Sequence, residues 1–100
     1  MQQNYVYQFF GYCISEYPLE FKKIKWDEAI KYDGFSDHTD GIVAPILYCI
    51  LKNRKKTKSV YIEKHIKLKN SKGQDAGVAI DTEEFREMIS YIRMIEKIKI

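Results

Sequence analysis

The most regular pattern in the chain lies in its last twenty residues. Phe85, Met88, Ile89, Ile92 and Ile95 recur with helical spacing, while Glu83, Arg86, Glu87, Ser90, Arg93 and Lys97 fall mostly off that stripe. Asp81 or Thr82 can cap such a helix, and with Asp81 as cap, Glu84 takes the capping-box position. Acid leads and base trails, as the helix dipole prefers. The pattern predicts a helix over residues 82–97. Tyr91, Met94 and Ile98 widen the apolar surface beyond one stripe, and extra core is the commoner meaning of such a surplus.

Residues 59–69 alternate instead. Val60, Ile62, Ile66 and Leu68 point one way, and Tyr61, Glu63, His65, Lys67 and Lys69 the other. Lys64 interrupts the apolar face, which predicts a bulge or an edge position. After a turn at 70–75, the segment from Gly77 to Ile80 reads as a short strand pairing back. The apolar run 42–52 fits a buried strand or a buried helix. Its β-prone residues, with the polar bridge 53–59 read as a hairpin, favour a strand over 46–52; Pro45 as an opening residue keeps a helix as the alternative.

The first half is less regular. Residues 4–17 fit a helical face, yet their aromatic and β-branched content and Gly11 favour a strand that Pro18 ends. Leu19, Phe21 and Ile24 suggest a short extended piece. Trp26 to Asp33 reads as a short helix with Asp27 and Glu28 in its first turn and Gly34 as its stop. Residues 33–41 read as a polar turn-rich loop. There Asp33, Asp37, His38 and Asp40 crowd together, but their spacing matches no established metal-ligand pattern, and carboxylates accepting backbone N–H bonds explain them as well. Asp37, His38 and Asp40 with His65 are the only candidates for catalysis, and nothing in the sequence unites them.

Composition sets outer bounds. One hundred residues, 45% hydrophobic, suit a single domain with a real core over 1–100. No stretch is apolar and long enough for a membrane span, and the N-terminus lacks a secretion signal, so a cytoplasmic location is expected. Cys13 and Cys49 then read as small buried hydrophobes rather than a disulfide.

Charge changes the picture most. The net charge is only +3, but residues 52–72 hold nine of the seventeen Lys/Arg and one acid, giving +8 between two acidic flanks. Arg54, Lys55, Lys56, Lys58, Tyr61, His65, Lys67, Lys69 and Lys72 could together offer cations to phosphates and rings to bases. This predicts a nucleic-acid-binding face, single-stranded before duplex; a winged-helix arrangement would serve duplex. Lysines that merely solubilise an edge strand are the plainer reading.

The segment Val60-Tyr-Ile-Glu-Lys-His-Ile, a polar turn, and Gly77-Val-Ala-Ile-Asp-Thr-Glu-Glu-Phe85-Arg-Glu-Met88 resembles the C-terminal half of the positive cofactor four family of transcriptional coactivators. The resemblance implies a curved antiparallel sheet backed by a helix, a homodimer and single-stranded DNA binding, with Lys64, Lys67 and Lys69 loosely in the binding role. The first half departs from that family's pattern. The expected fold is therefore α+β: a small antiparallel β-sheet containing 59–68 and 76–80, packed against the C-terminal helix, with one short helix near 26–33. The expected function is nucleic-acid binding without catalysis, metal or cofactor. The alternative is a small interaction or inhibitor protein, of a kind found in phages and mobile elements, that docks on another protein.

Overall fold

The computed structural model describes residues 10–54, 59–67 and 79–98. Its elements run β1 (Gly11–Cys13), α1 (Trp26–Ala29), β2 (Gly34–Asp37), α2 (Val43–Arg54), β3 (Tyr61–Lys64) and α3 (Thr82–Glu96), with a 3-10 turn at Phe21–Lys23. The strands form one sheet in the order β1-β2-β3, and both pairings are parallel. Beyond β3, Ile66 and Ile80 form an isolated parallel bridge. The antiparallel α+β arrangement expected from the sequence is thus corrected to parallel strands with helices between them. Parallel neighbours cannot be joined by a tight hairpin; each needs a crossover, which is why helices stand between the strands.

That requirement explains two misread segments. Residues 46–52 belong to helix α2, not to a strand. Ala44, Tyr48 and Lys52, spaced four apart, are all buried, as are Pro45 and Cys49. Of the remaining apolar residues of α2, Val43 is exposed and Ile46, Leu47, Ile50 and Leu51 are half-buried, so no polar face betrays the helical period. Residues 34–37, expected as loop, form the central strand. Gly34 is not the stop of the Trp26 helix but the start of β2, and that helix is a single turn.

The register places Gly11, Gly34 and Tyr61 in one row, then Tyr12, Phe35 and Ile62, then Cys13, Ser36 and Glu63, then Asp37 and Lys64. Alternation sends successive rows to opposite faces. The second row faces the core of Leu19, Ile24, Ala29, Phe35, Ala44 and Tyr48, with Trp26 and Val60 packed against it. Phe35 stacks on Tyr48 at 5.2 Å between centroids and on Trp26 at 5.8 Å. The first and third rows lie on the other face, which no helix among the described residues covers: Gly11, Cys13, Tyr61 and Glu63 are exposed, while Gly34 is buried and Ser36 half-buried.

Helix α3 begins where its sequence signal lies. Asp81 accepts from the Glu84 backbone N–H at 2.8 Å, and Glu84 Oε1 accepts from the Asp81 N–H at 3.2 Å, completing a capping box. Met88 and Ile95 are buried, while Tyr91, Met94 and Ile98 are exposed rather than extra core. Asn53 of α2 donates to the carbonyls of Ile95 and Ile98, satisfying the end of α3. Ile66, expected in the core, is also exposed.

Candidate functional site

Parallel α/β sheets bind ligands beyond the carboxyl ends of their strands, where loops converge. In this chain those ends are Cys13-Ile14, Asp37-His38 and Lys64-His65. Continuing the alternation past β2 and β3 brings His38 and His65 together, with ring centroids 5.6 Å apart. Tyr17 stacks on His38 at 4.2 Å and meets His65 edge-on at 6.1 Å. The Tyr17–Pro18 peptide bond is cis.

The state of His38 follows from its partners. Its Nδ1 lies 2.8 Å from the Ile14 carbonyl oxygen. A carbonyl only accepts, so Nδ1 carries a proton, and in the neutral ring Nε2 holds the lone pair. The Tyr17 hydroxyl, 3.1 Å from Nε2, donates to that lone pair. Cys13 Sγ packs against the same ring, 3.9 Å from Nδ1 and 4.0 Å from Nε2. One row lower, Ser36 donates to Glu63 at 2.7 Å. Below that, the Tyr61 ring covers Gly34, where an added Cβ would meet its ring carbons at 2.6 Å. The uncovered face therefore has an aromatic floor, a hydroxyl–carboxylate row and an imidazole pair at its rim.

Behind the rim, on the helix side, lies a buried ion pair. Lys64 Nζ donates to Asp37 Oδ2 at 2.9 Å and to the Thr39 carbonyl. Asp37 Oδ1 accepts from the Thr39 N–H at 2.9 Å and from its hydroxyl at 2.7 Å. Lys64 is thus neither a bulge residue nor a free cation. Lys52 is buried as well, donating to the carbonyls of Ile30 and Tyr32 that end α1.

These placements break up the supposed cationic band. Two of its nine bases, Lys52 and Lys64, hold the fold together from inside. Tyr61 and His65 do share the uncovered face. Lys67 is half-buried beyond it, and Arg54 ends α2. Lys55, Lys56, Lys58, Lys69 and Lys72 lie outside the described residues, as does the Arg54 side chain. The sequence reading named His38 and His65 but had no geometry to join them. It missed Tyr17 and gave Cys13, which is exposed, a place in the core. One signal was present: a charged residue followed by His occurs twice, at Asp37-His38 and Lys64-His65.

Among the described residues no three His, Cys, Asp or Glu side chains converge as a complete metal site. No helix there is long and apolar enough to cross a membrane.

A model of the NeuB family matches residues 9–99 of the chain. The chain belongs to the NeuB family. Among curated relatives, the uncharacterized protein MJ1065 of Methanocaldococcus jannaschii is 39% identical over 95 residues. The N,N'-diacetyllegionaminic acid synthase of Campylobacter jejuni is 32% identical over 94 residues. Each alignment covers 86% of this chain and 26% of the relative, so the chain spans about a quarter of their length. No solved structure matches.

Membership of the NeuB family overturns the likeness to positive cofactor four coactivators, which rested on a strand–turn–strand–helix outline that many folds share. With it go the nucleic-acid partner, the coactivator-type homodimer and the phage-type inhibitor alternative. The chain is instead related to an enzyme, a synthase, so the expectation of a purely non-catalytic binding protein gives way to that relationship.

Proposed function

We propose that this chain supplies one wall of the active site of a sugar-acid synthase. Its relative of that kind is named for making a diacetylated sugar acid, and the uncovered sheet face suits such a substrate. Ser36 and Glu63 offer a hydroxyl and a carboxylate to sugar hydroxyls, and Tyr61 offers an apolar ring below them.

The observation that carries the reading is the pairing of His38 and His65 at the ends of adjacent parallel strands. His38, itself buried, is held by a backbone carbonyl through Nδ1, which leaves Nε2 facing the Tyr17 hydroxyl. Such a carbonyl contact is how ligating histidines are commonly oriented. Two imidazoles fit a divalent transition-metal ion in part, leaving its other positions to water, substrate or further residues. Bound there, such an ion would act as a Lewis acid toward a carbonyl or phosphoryl oxygen. The chain's own residues supply the rest: Ile14 fixes the imidazole tautomer, and Tyr17 covers Nε2 until a ligand displaces its hydroxyl.

Titration with Co(II), followed by visible absorption, tests this. One equivalent is expected to bind with an imidazole-type spectrum that disappears in His38→Ala and in His65→Ala. No binding, or binding indifferent to both substitutions, would sink the metal-centre reading.

A further inference from the structure

The Asp37–Lys64 pair sits one residue before each imidazole and on the opposite face of the sheet. Both side chains are essentially inaccessible, at 0% and 1% exposure. A buried ion pair is a poor source of stability, because desolvating two charges offsets most of their attraction, and apolar replacements are often as stable. Its place here calls for another role.

We infer that Asp37 and Lys64 are positioning residues that set the His38–His65 pair. The inference rests on the proposed imidazole centre but concerns residues outside it. Three features support it. The pair joins β2 to β3 at the last row of their register, so it resists a slip that would carry either histidine to the other face. Its bonds to the Thr39 N–H, hydroxyl and carbonyl clamp the chain on both sides of His38. No buried side-chain polar atom among the described residues lacks a partner, so the network is fully satisfied, which rigidifies it. Neither residue touches a ligand; each acts through the imidazole that follows it.

The test is a double variant, Asp37→Leu/Lys64→Met, with Lys64→Arg as the conservative control. Long-range 1H–15N NMR reads the tautomers of both imidazoles without any metal, and Co(II) titration reads affinity. The double variant is expected to remain folded by circular dichroism, to lose the single Nδ1–H tautomer of His38, and to bind Co(II) about 10–100-fold more weakly, the usual cost of removing such support. Lys64→Arg is expected to keep the wild-type tautomer. A folded double variant with unchanged tautomers would overturn the inference. If the double variant does not fold, Thr39→Val serves, since it removes one bond to Asp37 and leaves the pair. A partial loss of the His38 tautomer is expected there, and an unchanged one would overturn the inference. If the wild type binds no Co(II), the metal-centre reading fails while the NMR result still decides the positioning role.

Discussion

The Tyr17 ring stacks on the His38 imidazole at 4.2 Å, and its hydroxyl donates to Nε2 of that same ring at 3.1 Å. The phenol thus occupies the lone pair that any ligand of His38 must take. Tyr17→Phe keeps the stack and removes the donor. A typical hydrogen bond is worth about 0.5–1.5 kcal/mol net, so stability should fall by no more than that. Affinity for Co(II) should stay level or rise a few-fold, because the ion no longer competes with a hydroxyl. A tenfold loss of affinity would show that the hydroxyl supports the site rather than covering it.

Tyr61 and Gly34 make a second close relationship. A Cβ at position 34 would stand 2.6 Å from three carbons of the Tyr61 ring, which has no flexible end to yield. Gly34→Ala is expected to cost about 1–3 kcal/mol, read as a lower urea midpoint. Adding Tyr61→Ala should recover part of the loss, since the two residues share one space. Additive losses would mean that the ring does not lie over this glycine.

How much of this could be read from the sequence differs from element to element. The position and cap of helix α3 were legible, because Asp81 and Glu84 form a local capping signal and its apolar stripe is periodic, but the exposure of Tyr91 and Met94 was not. The core strand β2 was not. Gly34, Ser36 and Asp37 look like turn residues, and only their partners make them strand residues: the Tyr61 ring on Gly34, Glu63 on Ser36, and Lys64 on Asp37. Those partners lie 27 residues away in sequence, beyond any local pattern. Once β2 was read as a loop, the strands on either side had no parallel neighbour, and a hairpin between 46–52 and 59–69 became the natural reading. The imidazole centre was hidden for the same reason, since His38 and His65 meet only through the β2–β3 register.

The two cysteines should differ sharply in chemistry. Cys13 is exposed beside His38, whereas Cys49 is buried, and burial followed by the nearby Glu96 charge pushes its thiol up to about 11. A thiol-specific disulfide reagent at pH 8 should modify one cysteine in the native chain and two after denaturation, with Cys13→Ser abolishing the native reaction. Two fast equivalents in the native state would contradict the burial of Cys49.

Alkaline stability follows from Cys49 and Tyr48 together. Tyr48 is also pushed up, to about 12, by burial first and then by Cys49, Asp33 and Tyr61. For both residues the fold favours the neutral form. Their contributions are complete below the ordinary values of 9.0 and 10.0 and are lost as pH rises toward about 11 and about 12. The melting temperature should therefore fall across this window. Cys49→Ala should remove the part of the fall that begins near pH 9. A flat profile to pH 12 would contradict the account.

The central claim is that His38 and His65 form one ligand centre at the ends of β2 and β3. Anomalous diffraction from crystals of the chain grown with Zn(II) tests it most directly. The account predicts a peak between the two rings, about 2.0–2.1 Å from one nitrogen of each, the usual Zn–N distance. A peak held by other residues, with the two imidazoles left uncoordinated, would contradict it.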